Sequence, residues 1–262
     1  MAKNALITGS SHGIGAATAI ALAREGYNVG ITYCKNPEGA EAVQKQCLEY
    51  GVEAKIYAAD LQIRSDCEKL MAEFLADFGT IEVLINNAGG ALKIPAGEFE
   101  DMPLDYWDSQ ITLNLSAAAY CSHAAIKNMK EHNIPGRIVN ISSVHGAITW
   151  VKRKMLPYCA AKGGLEMFTK ALGVEVAKYG IRVNCIAPGV VLTDMCAHID
   201  PETMDWLRED TPLNRHWSNM YNLTLNAQRL ERSCNLRQST ECISRLARAT
   251  VNKQNFHILF IC

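Results

Sequence analysis

Apolar and polar positions alternate along the first 190 residues in two periods. Short apolar runs of four to seven residues, rich in Val, Ile and Leu, are followed by longer stretches in which apolar positions recur every three or four. The first period suits buried strands and the second amphipathic helices. This pattern predicts strands at 5–8, 29–33, 54–58, 83–86, 136–142 and 182–187, and helices at 13–25, 37–50, 65–78, 103–132 and 158–179. Gly26, Gly51, Gly79 and Gly180 follow four of these helices, where a residue free to adopt positive φ closes the last turn. Strands separated by helices require crossover connections, which are right-handed and place helices on both faces of a parallel sheet. The expected fold is therefore α/β, a doubly wound parallel sheet of Rossmann type in a single domain.

The pattern changes after about residue 215. All 18 glycines lie at or before Gly189, and neither Gly nor Pro occurs after Pro212. From His216 to Cys262 six basic residues stand against Glu231 and Glu241. The chain is thus expected to divide into a domain at 1–215 and a distinct segment at 216–262.

Composition narrows the class. With 26 basic and 27 acidic residues and a pI near 6.7, no basic excess points to nucleic acid. No apolar run reaches the roughly 18 to 20 residues of a membrane span, and the opening MAKNALITGS has no signal-peptide pattern. The ten cysteines show no CxxC and no zinc spacing, as expected of small apolar residues in a reducing compartment. A cytoplasmic protein without a metal is expected.

The chemistry begins at the first strand, which runs into Thr8-Gly9-Ser10-Ser11-His12-Gly13-Ile14-Gly15 and then a helix. Glycines there let the backbone approach a pyrophosphate, and a helix N-terminus offers N–H groups and a positive dipole. A purely structural strand-to-helix turn can use glycines in the same way. Tyr158 and Lys162 lie four apart and so share one helix face. A nearby ammonium is expected to favour the phenolate and lower the Tyr158 pKa, as suits a general acid and base.

Taken together these segments resemble the short-chain dehydrogenase/reductase family. The glycine turn is similar to the family's TGxxxGIG, Asn86-Asn87-Ala88-Gly89 to its NNAG segment, and Tyr158 with Lys162 to its YxxxK. Ser143 at the end of IVNISS, Asn114 in a helical run, and Pro188-Gly189 with Thr193 complete the order over positions 8 to 193. The resemblance implies Asn114, Ser143, Tyr158 and Lys162 as catalytic. It implies that Ser143, rather than Ser142, meets the substrate carbonyl, that Lys162 also holds the nicotinamide ribose, and that Asn114 keeps a water in a proton relay. Cofactor contacts are implied for Gly9, Ser11, His12, Gly13, Ile14, Gly15, Asn87, Ala88, Gly89, Tyr158, Lys162, Pro188, Gly189 and Thr193, with Asp60 and Leu61 at the adenine.

The second strand ends in Tyr33-Cys34-Lys35-Asn36, without the acid that would bind the ribose hydroxyls of NAD. Lys35, with His12 where NADP-dependent relatives often have Arg, therefore predicts NADP(H) over NAD(H). A solvated turn lysine is the alternative reading of Lys35. The chain is most similar to the family's 3-oxoacyl-acyl-carrier-protein reductases, which implies reduction of a ketone to a secondary alcohol. Ser143-Val144-His145 and Trp150 are similar to the glucose 1-dehydrogenase group. The resemblance also implies a small carbonyl or alcohol substrate and a homo-oligomer, dimer or tetramer. After Arg215 the family's closing helix and seventh strand have no counterpart, so the segment from His216 reads as a divergent ending or a changed reading frame. A missing or altered seventh strand, an exposed edge on the sixth, a partly disordered tail and lowered stability are the expectations. A catalytically defective dinucleotide-binding protein is the alternative they carry.

Overall fold

A computed structural model describes residues 3–91, 98–147, 155–189, 191, 193, 199–209 and 258–261. Six strands form a parallel sheet: β1 (Lys3–Ile7), β2 (Tyr27–Tyr33), β3 (Ala54–Ala58), β4 (Val83–Asn86), β5 (Arg137–Ile141) and β6 (Arg182–Pro188). The helices between them are α1 (Gly13–Arg24), α2 (Pro37–Leu48), α3 (Arg64–Phe78), α4 (Leu104–Ile111), α5 (Ala117–Glu131) and α6 (Leu156–Val176). A short helix α7 (Pro201–Glu209) and a strand β7 (Ile258–Ile261) complete the chain. The strand order is β3-β2-β1-β4-β5-β6-β7.

Alternation along the central strands sorts the core into two layers. Ala5, Ile7, Val83 and Ile85 pack with Ala16, Ala19, Ala40 and Val43 of α1 and α2. Leu6, Leu84 and Ile138 face the other way, onto Leu70, Phe74, Cys121 and Met129 of α3 and α5. Gly30 of β2 shows how closely the layers fit: a Cβ there would come within 2.7 Å of the Phe74 ring and 2.8 Å of Leu6. Beneath the C-terminal ends of β4 and β5 lies a buried polar ladder. Asn86 Nδ2 donates to Asn140 Oδ1 (2.8 Å) and Ser122 Oγ (3.1 Å), and Asn140 Nδ2 donates to Thr169 Oγ1 (2.9 Å) of α6. Such a network fixes α6 against the sheet in one arrangement, because each lost bond would leave a buried polar group unpaired.

The helices close at Gly26, Gly51, Gly79 and Gly180 with φ of 84°, 74°, 76° and 73°. Two departures from expectation matter for the site. The helical run expected over 103–132 is divided by a π turn at Thr112–Ser116, a local widening that sets Asn114 apart from the regular helix. At the far edge β6 is not exposed: β7 pairs with it in antiparallel sense, Ile186 opposite Phe260, so the seventh strand is altered rather than absent. Of the tail expected to be partly disordered, residues 216–262, all but 258–261 lie outside the described residues. Among those that are described, no helix is long and apolar enough to cross a membrane.

Strand order reverses at β1, whose neighbours β2 and β4 lead to helices on opposite faces. A crevice opens at such a point beyond the strand ends.

Candidate active site

The crevice is a cleft of about 550 Å³. Its floor is the turn after β1. Gly9 and Gly13 take φ of 62° and 58°, which only glycine adopts readily. Gly15 lies behind the wall, where a Cβ would be driven into the Gly9 carbonyl oxygen and to within 2.9 Å of Ser10 Cα. Ser10 pins the turn from below by donating to the Ile7 carbonyl (2.7 Å) and accepting from the Thr32 amide (2.9 Å). The first turn of α1 carries no acid, and the His12 side chain makes no cap. Its leading N–H groups and dipole therefore remain available to an anion. These features fit a dinucleotide pyrophosphate.

Thr8 joins this turn to the segment after β4. Its Oγ1 accepts from the Asn87 and Ala88 amides (both 2.9 Å), and Asn87 Nδ2 donates to the Thr8 and Gly9 carbonyls (both 2.9 Å). Gly89 follows, and a Cβ on it would meet Asn114 Oδ1 at 2.7 Å and Lys162 Nζ at 3.2 Å. On the opposite side Thr193 closes over the turn, its methyl 3.6 Å from where a Cβ of Gly13 would stand. Pro188 and Gly189 line the same wall.

At the end of β2, Lys35 and His12 are exposed and border the cleft, and Asp60 is the one carboxylate among the described residues that line it. Asp60 is tied into its own turn: its Oδ1 accepts from the Gln62 amide (3.0 Å) while its amide donates to Asp66 Oδ2 (3.2 Å). Leu61 beside it is buried.

The opposite end of the cleft holds Ser143, Tyr158 and Lys162. Ser143 ends the extended chain after β5 and accepts from the His145 amide (3.2 Å), which starts a 3-10 turn over Val144–Gly146. Tyr158 and Lys162 project from the first turns of α6, with Lys162 Nζ 5.6 Å from the centre of the Tyr158 ring. Lys162 is almost wholly buried and donates to the Ile141 carbonyl (2.7 Å). Burial lowers its pKa to about 8.

For Tyr158 the expected lowering by the lysine is overturned. Burial raises the phenol above its ordinary value, opposed by a hydrogen bond with Ser143. The ammonium is engaged with the Ile141 carbonyl, and desolvation of the phenolate outweighs its attraction. His145, unforeseen as a site residue, stands edge-on to Tyr158 with ring centres 6.1 Å apart and also lines the cleft. Its place two residues past Ser143 was the available signal.

Asn114 lies behind Gly89 rather than in the cleft wall. Its Oδ1 accepts from the Gly90 amide (2.9 Å), and its Nδ2 donates to the carbonyls of Gly90 and Gln110 (both 3.1 Å). The side chain thus clamps the π turn to the segment after β4. Ser142 also lines the cleft, and its hydroxyl donates to Glu166 Oε1 (3.0 Å) of α6. The basic insert around Trp150 falls outside the described residues, apart from the buried Met155.

The remaining predicted residues, Gly9, Ser11, His12, Gly13, Ile14, Lys35, Asp60, Leu61, Asn87, Ala88 and Gly89, all line this one cleft. Residues 3–203 match the short chain dehydrogenase family model. A sorbose reductase of Candida albicans is 37% identical over 213 residues, covering 81% of this chain and 75% of that protein. The 3-oxoacyl-[acyl-carrier-protein] reductase of Staphylococcus aureus is 34% identical over 215 residues, 82% of this chain and 85% of that one. Among solved structures, an actinorhodin polyketide ketoreductase with NADPH superposes with a TM-score of 0.77 at 31% identity, over 87% of this chain and 90% of its own. With this family match and these relatives, the chain belongs to the short-chain dehydrogenase family of NAD(P)-dependent oxidoreductases.

Proposed function

We propose that this enzyme reduces a ketone, of the 3-oxoacyl thioester type, to a secondary alcohol with NADPH. The observation that carries the reading is that Ser143, Tyr158 and Lys162 line the same cleft as the glycine turn. A bound nicotinamide dinucleotide supplies the hydride to the carbonyl carbon. The protein's part is the proton and the placement. Ser143 turns its hydroxyl from Tyr158 to the substrate oxygen and holds it beside the phenol. Tyr158 gives its proton to that oxygen, a role that its raised pKa suits, since the phenol stays protonated at neutral pH. Lys162, seated on the Ile141 carbonyl, holds the ribose and refills Tyr158. Asn114 fixes the Gly89–Gly90 segment against which that ammonium lies.

Lys35 and His12, in a cleft end without a β2 carboxylate, support NADPH over NADH through attraction of the 2′-phosphate. The 3-oxoacyl reductase among the relatives supports the substrate class. The family match ends at residue 203, in line with a catalytic domain at 1–215 and a divergent segment at 216–262. No disulfide joins the described cysteines, in keeping with a reducing compartment such as the cytoplasm, and a homo-oligomer remains the expected assembly.

The test is a titration with NADPH and NADH followed by loss of reduced-nicotinamide absorbance on adding an acetoacetyl thioester. Turnover with NADPH that falls by about three orders of magnitude in Tyr158→Phe, with cofactor binding retained, is the expected result. Cofactor binding without turnover on thioesters or simple ketones would overturn the reductase reading.

A further inference from the structure

Glu166 is a carboxylate with no part in the chemistry above, yet it is 6% exposed and sits one turn past Lys162 on α6. Its Oε1 accepts from the Ser142 hydroxyl (3.0 Å), which also lies 3.2 Å from the Lys162 carbonyl. The same carboxylate fills the space against Gly146. A Cβ on Gly146 would collide with Glu166 Oε1 and come within 2.8 Å of its Cδ and 3.0 Å of Ser142 Oγ. The Gly146 carbonyl in turn lies 3.1 Å from where Gly163 would carry a Cβ, so this loop and α6 meet through bare backbone. Lys170, one turn further along α6, and the Cys185 thiol of β6 are the other titratable groups that act on or feel this charge.

Ser142 and Gly146 are the two ends of the segment that carries Ser143 and His145. A buried carboxylate is costly and an apolar side chain would fill the same space, so its presence calls for a task that only an acceptor performs. Strand alternation points Ser142 away from Ser143, and holding the first fixes the rotation of the second. We propose that Glu166 is a positioning residue: by anchoring Ser142 and seating Gly146 it fixes the Ser143 hydroxyl relative to Tyr158 and Lys162 on the same helix. The consequence for rate rests on the reductase reading, but the anchoring does not.

Two measurements on the full chain separate them. Hydrogen exchange of the amides over Ser142–Gly146, without any substrate, is expected to quicken by about tenfold or more in Glu166→Leu and in Ser142→Ala and to stay near the parent value in Glu166→Gln, which keeps an acceptor oxygen. In turnover, Glu166→Leu lowers kcat by about tenfold or more with the KM for NADPH within about threefold, Glu166→Gln restores most of kcat, and the double variant with Ser142→Ala is no worse than the poorer single. Should Glu166→Leu fail to fold, Ser142→Ala carries both readouts. Unchanged exchange in the folded variants overturns the anchor, as does a Gln variant as impaired as Leu. Quickened exchange in a chain that turns over no ketone supports the anchor and sinks the reductase reading alone.

Discussion

Burial of Lys162 makes the stability of the cofactor-free protein depend on alkaline pH in a direction opposite to that of an ordinary lysine pair. Lys162 is 3% exposed and donates to the Ile141 carbonyl, and its burial moves its pKa on folding from an ordinary 10.5 to about 8. Between these values the unfolded chain holds a proton that the folded chain has shed. Unfolding then takes up a proton, and stability rises with pH across the window from about 8 to 10.5. At about 1.4 kcal/mol for each pH unit, the charged lysine costs the fold about 3 kcal/mol at pH 7, most of it regained by pH 10.5. Lys162→Met removes the titration while keeping much of the stem. Urea unfolding of both proteins at steps from pH 7 to 10.5 isolates the lysine, because other titrating groups cancel in the difference. The parent is expected to gain roughly 2 to 3 kcal/mol on the variant over that range. A difference that stays flat, or one that falls as pH rises, would show that the ammonium is solvated in the folded protein and that the argument from burial is wrong.

The other expectations concern the cofactor, the phenol and the sheet. Lys35→Asp places a carboxylate at the end of β2 and is expected to lower kcat/KM for NADPH relative to NADH by about tenfold or more, measured as a ratio in one preparation. Gly15→Ala drives a methyl into the Gly9 carbonyl and should abolish dinucleotide binding in a fluorescence titration, while circular dichroism reports whether the fold survives. Because burial raises the Tyr158 pKa, reduction should hold its rate through neutral pH, whereas alcohol oxidation, which needs the phenolate, climbs into the alkaline range. An oxidation rate that is flat from pH 7 to 10 would argue against a raised phenol. Asn128 accepts from the Ile81 amide (3.1 Å) and donates to the Gly79 carbonyl (3.0 Å), so Asn128→Ala should cost about 2 to 3 kcal/mol in urea unfolding with little change in KM.

Much of this architecture was legible in the chain because its signals are local. Strands at 54–58 and 83–86 fall where the apolar runs place them, and the glycines after α1 and α3 close those helices at positive φ, which glycine adopts at least cost. The glycine turn, NNAG and YxxxK segments are likewise short stretches readable from neighbouring residues alone. What escaped was set by distant partners. The 103–132 run keeps helical spacing throughout, and the π turn that interrupts it depends on Asn114 reaching Gly90, 24 residues away. Four-residue spacing put a cation beside Tyr158, but the outcome was decided by burial among other elements. Glu166 occupies an ordinary position on an amphipathic helix, and only the packed loop after β5 turns it inward. The antiparallel β7 follows a segment with no glycine or proline to mark its course.

The hydroxyl of Thr8, accepting two successive amides from the segment after β4, has a thermodynamic meaning beyond its geometry. It stitches the loops after β1 and β4, between which the proposed dinucleotide would lie, to one another through the protein itself, so their alignment is settled during folding. Docking then freezes few additional backbone rotations. Association should accordingly be governed by diffusion and charge attraction instead of rearrangement of these two loops, which are expected to superimpose closely in the empty and loaded protein. A protein arranged this way can exchange spent for fresh nicotinamide at every cycle without rebuilding its floor.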